Sequence, residues 1–332
     1  MTAESKRIES ELPSGDPALL NKLAWARRWT DRTASVELAL AARKKALDGV
    51  GRRSKSEQGL SIRTLGWQAL WRGELVLSMD YCLQAETHLP EAKFPGERAG
   101  IYSTLGIIHY LRNRFDLATL AVERGIWLVQ DKEDEAQVLA DLLVTQANIQ
   151  RLAGERARAG MTLGQARSIA SEETKAVVDI ATANLLTDDN DAMKALEYAE
   201  AALAGCLERK NRITLPYARS TLAECYGKLK KTYDALDQIA TGLAEVEAEG
   251  DTQARCMMIR QRANILNCGG KLKEAIACFE EAGEIARVQG FGVWRKKIAL
   301  ESAEVLEALG DAKGAVQQHK LAWQLQNQTR VR

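Results

Sequence analysis

The sequence predicts an all-α solenoid of about eight antiparallel helical hairpins, and three observations carry that prediction. Alanine supplies 50 of the 332 residues and proline only 5, a balance that favours helix over strand nearly everywhere. Small residues recur with a period close to forty. Turn-forming breakers fall midway through most periods, where a helix must reverse. With 46% apolar residues the chain has enough material for a core, but a length that would suggest two globular domains is better divided into repeats.

The period is read from residue type alone. Gly66, Gly106, Ala147, Ala183, Ala223, Ala263 and Ala303 head seven units. Twelve positions after each stands Ser78, Ala118, Ala159, Ala195, Ala235, Ala275 or Ala315. Seven later come Ala85, Gly125, Ala166, Ala202, Gly242, Ala282 and Ala322. Ala, Gly and Ser together are 87 of 332 residues, so twenty-one such matches are not coincidence. An earlier unit keeps Ala39 and Ala46 but has Arg27 at the first place, which makes eight. Two helices of a hairpin approach closely only where neither carries bulk, which explains the triplet. The breakers are Arg72-Gly73-Glu74, Arg112-Asn113-Arg114, Ala153-Gly154-Glu155, Asp188-Asp189-Asn190, Cys268-Gly269-Gly270 and Gly310-Asp311. Apolar residues such as Leu272, Ile276 and Phe279 follow at helical spacing.

At the first helix Asp16 is the expected cap with Pro17 at the first helical position, leaving residues 1–16 as a flexible tail before a solenoid over 17–332. The stretch Val316 to Gln328 reads as a Gln-rich last helix, polar as a solenoid cap must be or serving as a connector.

Leu105-Gly106-Ile107-Ile108-His109 with Phe115, Ala118 and Gly125 resembles the tetratricopeptide repeat (TPR) pattern, as do Leu222-Ala223-Glu224-Cys225-Tyr226 with Ala235 and the run Ala275 to Ala282. The forty-residue spacing is similar to the long repeats of bacterial regulatory proteins and kinesin light chain-like adaptors. Gln146, Thr182, Arg262 and Ser302 depart from the leading Leu, and His109 stands where Tyr is usual. The resemblance implies a right-handed superhelix with the first helix of each hairpin on the inner wall, and a cytoplasmic, non-enzymatic scaffold that captures an extended peptide or partner protein there. The first hairpin and the Gln-rich helix also resemble the sensor half of bacterial signalling proteins, whose cyclase or kinase output would here be separate or lost.

Candidate binding residues follow from this register. Asn148, Asn184 and Asn264 come just after the small residue of the first helix; in families of this kind such Asn residues point inward and hold a peptide backbone. An amide offers donor and acceptor together, so it pairs with any extended chain. Thr64, Thr104, Thr145 and Thr221 recur two places before the small residue, either as ligand contacts or as packing residues whose hydroxyls bond the preceding turn. Arg63 and Arg260 add positive charge to the same wall, and Trp71 and Tyr110 add apolar pockets.

Charge is uneven: Asn21 to Arg72 holds twelve basic against four acidic residues, which suits a partner with an acidic segment or simply solvated helix faces. No nucleic-acid signature, nucleotide loop, zinc motif or nucleophile elbow is present. The charged, polar first ten residues do not read as a secretory signal, and no run of 18 apolar residues suits a membrane span. Neither catalysis, a cofactor nor a metal is expected. The six cysteines read as reduced, small core residues, although four of them crowd between 225 and 278.

Overall fold

The computed structural model describes residues 16–49 and 52–327, so the predicted tail lies, except for Asp16, outside the described residues. Sixteen α-helices follow one another there, with no strand among the described residues. They pair into eight hairpins: α1 (Pro17–Arg27) with α2 (Arg32–Asp48), α3 (Arg52–Trp71) with α4 (Leu75–His88), α5 (Pro95–Leu111) with α6 (Phe115–Val129), and α7 (Ala136–Leu152) with α8 (Arg156–Ile169). The second half continues with α9 (Glu172–Asp188) and α10 (Ala192–Glu208), α11 (Leu215–Lys228) and α12 (Thr232–Glu249), α13 (Thr252–Cys268) and α14 (Leu272–Gln289), then α15 (Gly292–Ala308) and α16 (Ala312–Asn327).

Local chemistry sets the boundaries. The Asp16 carboxylate accepts from the Ala18 amide at 3.1 Å, with Pro17 at the first position. In units two to eight the turn inside the hairpin passes through one left-handed residue, in order Gly73, Asn113, Gly154, Asn190, Lys230, Gly270 and Gly310. Glycine and asparagine take that conformation at little cost; Lys230 marks the one of these turns whose sequence carries no breaker.

All twenty-one small residues of the repeat are buried. Ser78 donates to the Gly66 carbonyl across its hairpin at 2.6 Å. The third small position serves a second purpose that the register alone did not show, because it seats the next hairpin. A Cβ on Gly125 would lie 2.6 Å from Leu142 of α7, and one on Gly242 would lie 2.1 Å from Met258 of α13.

The eight units wind so tightly that the superhelix meets itself. The turn of unit one receives both ends of unit six: the Arg212 amide donates to the Trp29 carbonyl at 3.0 Å, and Arg32 donates to the Glu249 carbonyl at 2.7 Å. The turn of unit two receives unit seven, where the Thr252 hydroxyl donates to the Arg72 carbonyl. The turn of unit three receives unit eight, with Gly292 against the Arg112 carbonyl and Asn113 donating to the Leu325 carbonyl at 3.2 Å. The offset is five units each time. One apolar cluster crosses this seam, joining Leu70, Leu105 and Leu111 of the first winding to Ile259, Phe291 and Ile298 of the second. Such burial, about 25 cal/mol per Å² of apolar area, favours the closed winding.

Candidate functional site: the central channel

Closure of the windings turns the concave groove into a channel lined almost entirely by the first helices of the hairpins. It holds about 1400 Å³ of atom-free space, part of it open to solvent. Because the helices tilt along the superhelix, the wall-forming residue shifts register from unit to unit. Trp71 lies five places after its small residue, Tyr110 and Arg151 four after, Asp188 five after and Glu224 one after, whereas Arg260 lies three before and Lys297 six before. One side chain from each of seven consecutive units thus forms a band around the channel.

Toward one side the wall is aromatic. Trp29 and Trp67 meet edge to face at 4.6 Å, and Trp71 meets Tyr217 across the seam at 5.4 Å, geometries favoured by the ring quadrupoles. Arg63 lies 3.8 Å and Arg28 4.1 Å from the Trp25 ring centre. Arg28 also donates to the Trp25 carbonyl at 2.7 Å. Burial pushes the Arg28 guanidinium down to about 9, opposed by Asp141, and Arg63 down to about 10. The Asp141 carboxyl is pushed up to about 6 by burial, with Arg28 pulling the other way. Arg28 and Arg32 are therefore not part of a solvated helix face: both are buried, one on tryptophan and one in the seam.

Seven of the eleven residues singled out in the sequence meet on this wall: Asn148, Asn184, Thr145, Thr221, Arg260, Trp71 and Tyr110. Thr221 donates to the Asn184 side-chain oxygen at 3.4 Å. Asn264, Thr64, Thr104 and Arg63 are not on it. Thr64, Thr104 and Thr145 donate back one turn, to Leu60, Gly100 and Asp141 carbonyls at 3.0–3.1 Å, which is the packing role open to them. Trp29, Trp67, Asp141, Arg151, Trp294 and Lys297 line the channel without having been found by sequence reasoning; a register allowed to slide along the helices would have reached all but Trp29, which lies in the turn after α1.

The cysteines carry no disulfide, and no cluster of three or more metal-ligating side chains occurs among the described residues. Burial pushes the Cys82, Cys206 and Cys256 thiols up to about 12, the environment of unreactive core thiols. No helix among the described residues is long and apolar enough to cross a membrane.

No family model and no curated protein matches the chain. Solved structures do. A Rap protein complexed with competence and sporulation factor is similar with a TM-score of 0.65 at 14% identity, over 95% of this chain and 98% of the other. The apo form of RapI gives 0.58 at 14% identity, over 82% and 99%. Aspartyl phosphate phosphatase F from Bacillus subtilis gives 0.58 at 15% identity, over 87% and 75%. Identities this low speak for fold alone. The eight stacked hairpins, their buried small residues and these likenesses together make the chain a TPR-like helical repeat protein.

Proposed function

We propose that this protein is a non-enzymatic, cytoplasmic scaffold that captures an extended polypeptide segment in its central channel. The observation that supports this most is the wall itself. Asn148 and Asn184 line it one unit apart, and Thr221 and the Trp29, Trp67 and Trp71 rings line the same channel. Amides pair with an extended chain of any sequence, and the aromatic surfaces take its apolar side chains. A protein of similar fold has been solved with competence and sporulation factor bound.

The test is a microarray of random-sequence peptides probed with the wild-type chain and with Asn148→Ala/Asn184→Ala. Peptides that bind the wild type should lose about tenfold or more in affinity on the variant, with its melting temperature unchanged. Equal binding by both proteins, or no bound peptide, would overturn the reading. A second reading, the regulatory half of a signalling protein, draws on the apolar side chains that α16 exposes, Val316 and Trp323; a cyclase or kinase reading frame beside the gene would favour it.

A further inference from the structure

On the outside of the solenoid, two helices that the seam joins each expose an apolar pair. α6 of unit three presents Leu120 and Trp127, and α16 of unit eight presents Val316 and Trp323, the two tryptophans being 59% and 68% exposed. Each pair is seven residues apart and so shares one helix face. At the place of Leu120, units two, five and six carry Asp80, Glu197 and Asp237 instead. Asn113, two residues before α6, donates to the carbonyl of Leu325, two residues after Trp323. The end of α16 therefore abuts the start of α6, and the closed winding sets the two pairs in succession along the outer wall. Apolar surface left bare in this way marks a contact site.

The charges between the apolar residues have opposite signs. Lys320 lies four residues after Val316 and three before Trp323, whereas Glu123 lies three after Leu120 and four before Trp127. Neither has an ion pair among the described residues. The other cation of α6, Arg124, is engaged by Glu91 at 2.6 Å and lies 4.5 Å from the Trp127 ring centre. His319 is held by Glu307 at 3.1 Å. One helix thus reads apolar, basic, apolar at spacings of four and three, and the other reads apolar, acidic, apolar at three and four. Within one chain the two helices follow end to end, so Lys320 and Glu123 do not meet. A second copy turned about a two-fold axis across the stripe, midway between Trp323 and Leu120, runs antiparallel and brings them together. Trp323 then faces the partner's Leu120, Val316 the partner's Trp127, and Lys320 the partner's Glu123, each contact made twice as an isologous interface requires.

We propose that this stripe is a self-association surface through which two copies of the chain pair by α6 and α16. α6 and α16 have 15 and 16 residues, so end to end they run about 45 Å and, at a helix width of about 10 Å, cover about 450 Å² per copy. A standard interface buries about 800 Å² per partner. The pair is therefore a weak, concentration-dependent dimer, and it stands apart from the channel and from peptide capture.

Sedimentation velocity of the full chain over about 1–300 µM, the range suited to so small a contact, tests this. The wild type should dimerise reversibly. Glu123→Lys and Lys320→Glu should each weaken association about tenfold or more, because each sets like charges face to face twice. Mixed in equal amounts, the two variants should pair with one another within about threefold of the wild-type affinity, since every lysine again faces a glutamate. Leu47→Lys, at an exposed apolar residue of α2 away from the stripe, should change nothing. Melting curves check that all variants fold; should one reversal fail, the double variant Glu123→Lys/Lys320→Glu restores both contacts in one chain and repeats the comparison. A wild type that stays monomeric throughout overturns the proposal. So does a dimer that ignores both reversals, a mixture or double variant that fails to recover, or equal weakening by Leu47→Lys.

Discussion

Gly73 is the sharpest point at which to test whether the superhelix is closed in solution. Its φ of +83° places it in the left-handed region, and an added Cβ would lie 2.3 Å from Thr252 Oγ1 and 2.8 Å from Phe291 Cζ on the opposite winding. Gly154 holds the same place in unit four with φ of +82°, yet its added Cβ would meet nothing within 4 Å. Alanine at either site incurs about 1 kcal/mol or more for the left-handed backbone. At Gly73 it must also displace the Thr252 hydroxyl from the Arg72 carbonyl, about 1 kcal/mol, and push the fully buried Phe291 ring, about 1–3 kcal/mol. Gly73→Ala should therefore cost about 2–4 kcal/mol more than Gly154→Ala. Urea denaturation followed by helical circular dichroism gives the two values, and small-angle scattering reports whether the winding has opened. Equal costs, within about 0.5 kcal/mol, would refute the closed seam, because only the seam distinguishes the two positions.

Two further outcomes are expected. Lys230→Gly should raise stability by about 0.5–1 kcal/mol in the same assay, since an exposed lysine there holds φ at +60° without using its side chain; an unchanged urea midpoint would argue against that turn. The Asp251 carboxyl is pushed up to about 6 by burial, although Arg32 stands 3.8 Å away. Unfolded, it titrates near 3.9, so between about pH 4 and 6 the folded state holds the extra proton and stability falls as pH rises, by about 2 kcal/mol. Asp251→Asn keeps a helix cap and should remove that slope, so the stability difference between variant and wild type must change by about that amount from pH 4 to pH 7. A pH-independent difference rejects the assignment.

The hairpins were legible because each depends on residues close in sequence. A small residue, a breaker and a second small residue decide one crossing regardless of the other units. The winding is of another kind. Its closure accumulates from small rotations between units, and the groups that meet, such as Arg32 with Glu249 or Gly73 with Thr252, share no pattern that a period could display. The site was legible in its middle for the same reason. A fixed register, one place after the small residue, reaches the wall at Asn148 and Asn184 but not at Asn264. By unit eight the wall has moved back to Trp294 and Lys297, about two to three turns earlier on the helix. Arg28 and Arg32 misled in the opposite sense: adjacent charges on an amphipathic hairpin are usually solvated, and only the tryptophans and the second winding bury them.

The seam also changes how this chain must fold. An open repeat array can nucleate anywhere and spread from neighbour to neighbour. Here residues 180, 212 and 217 positions apart must find one another, which raises the contact order of a protein whose other contacts are mostly local. Helices and hairpins can form early, but docking of units six to eight onto units one to three is a separate, late event, bearing the loop-closure entropy of half the chain. Loss of the last hairpin would accordingly be felt not at its neighbour alone but five units away, at the turn around Asn113.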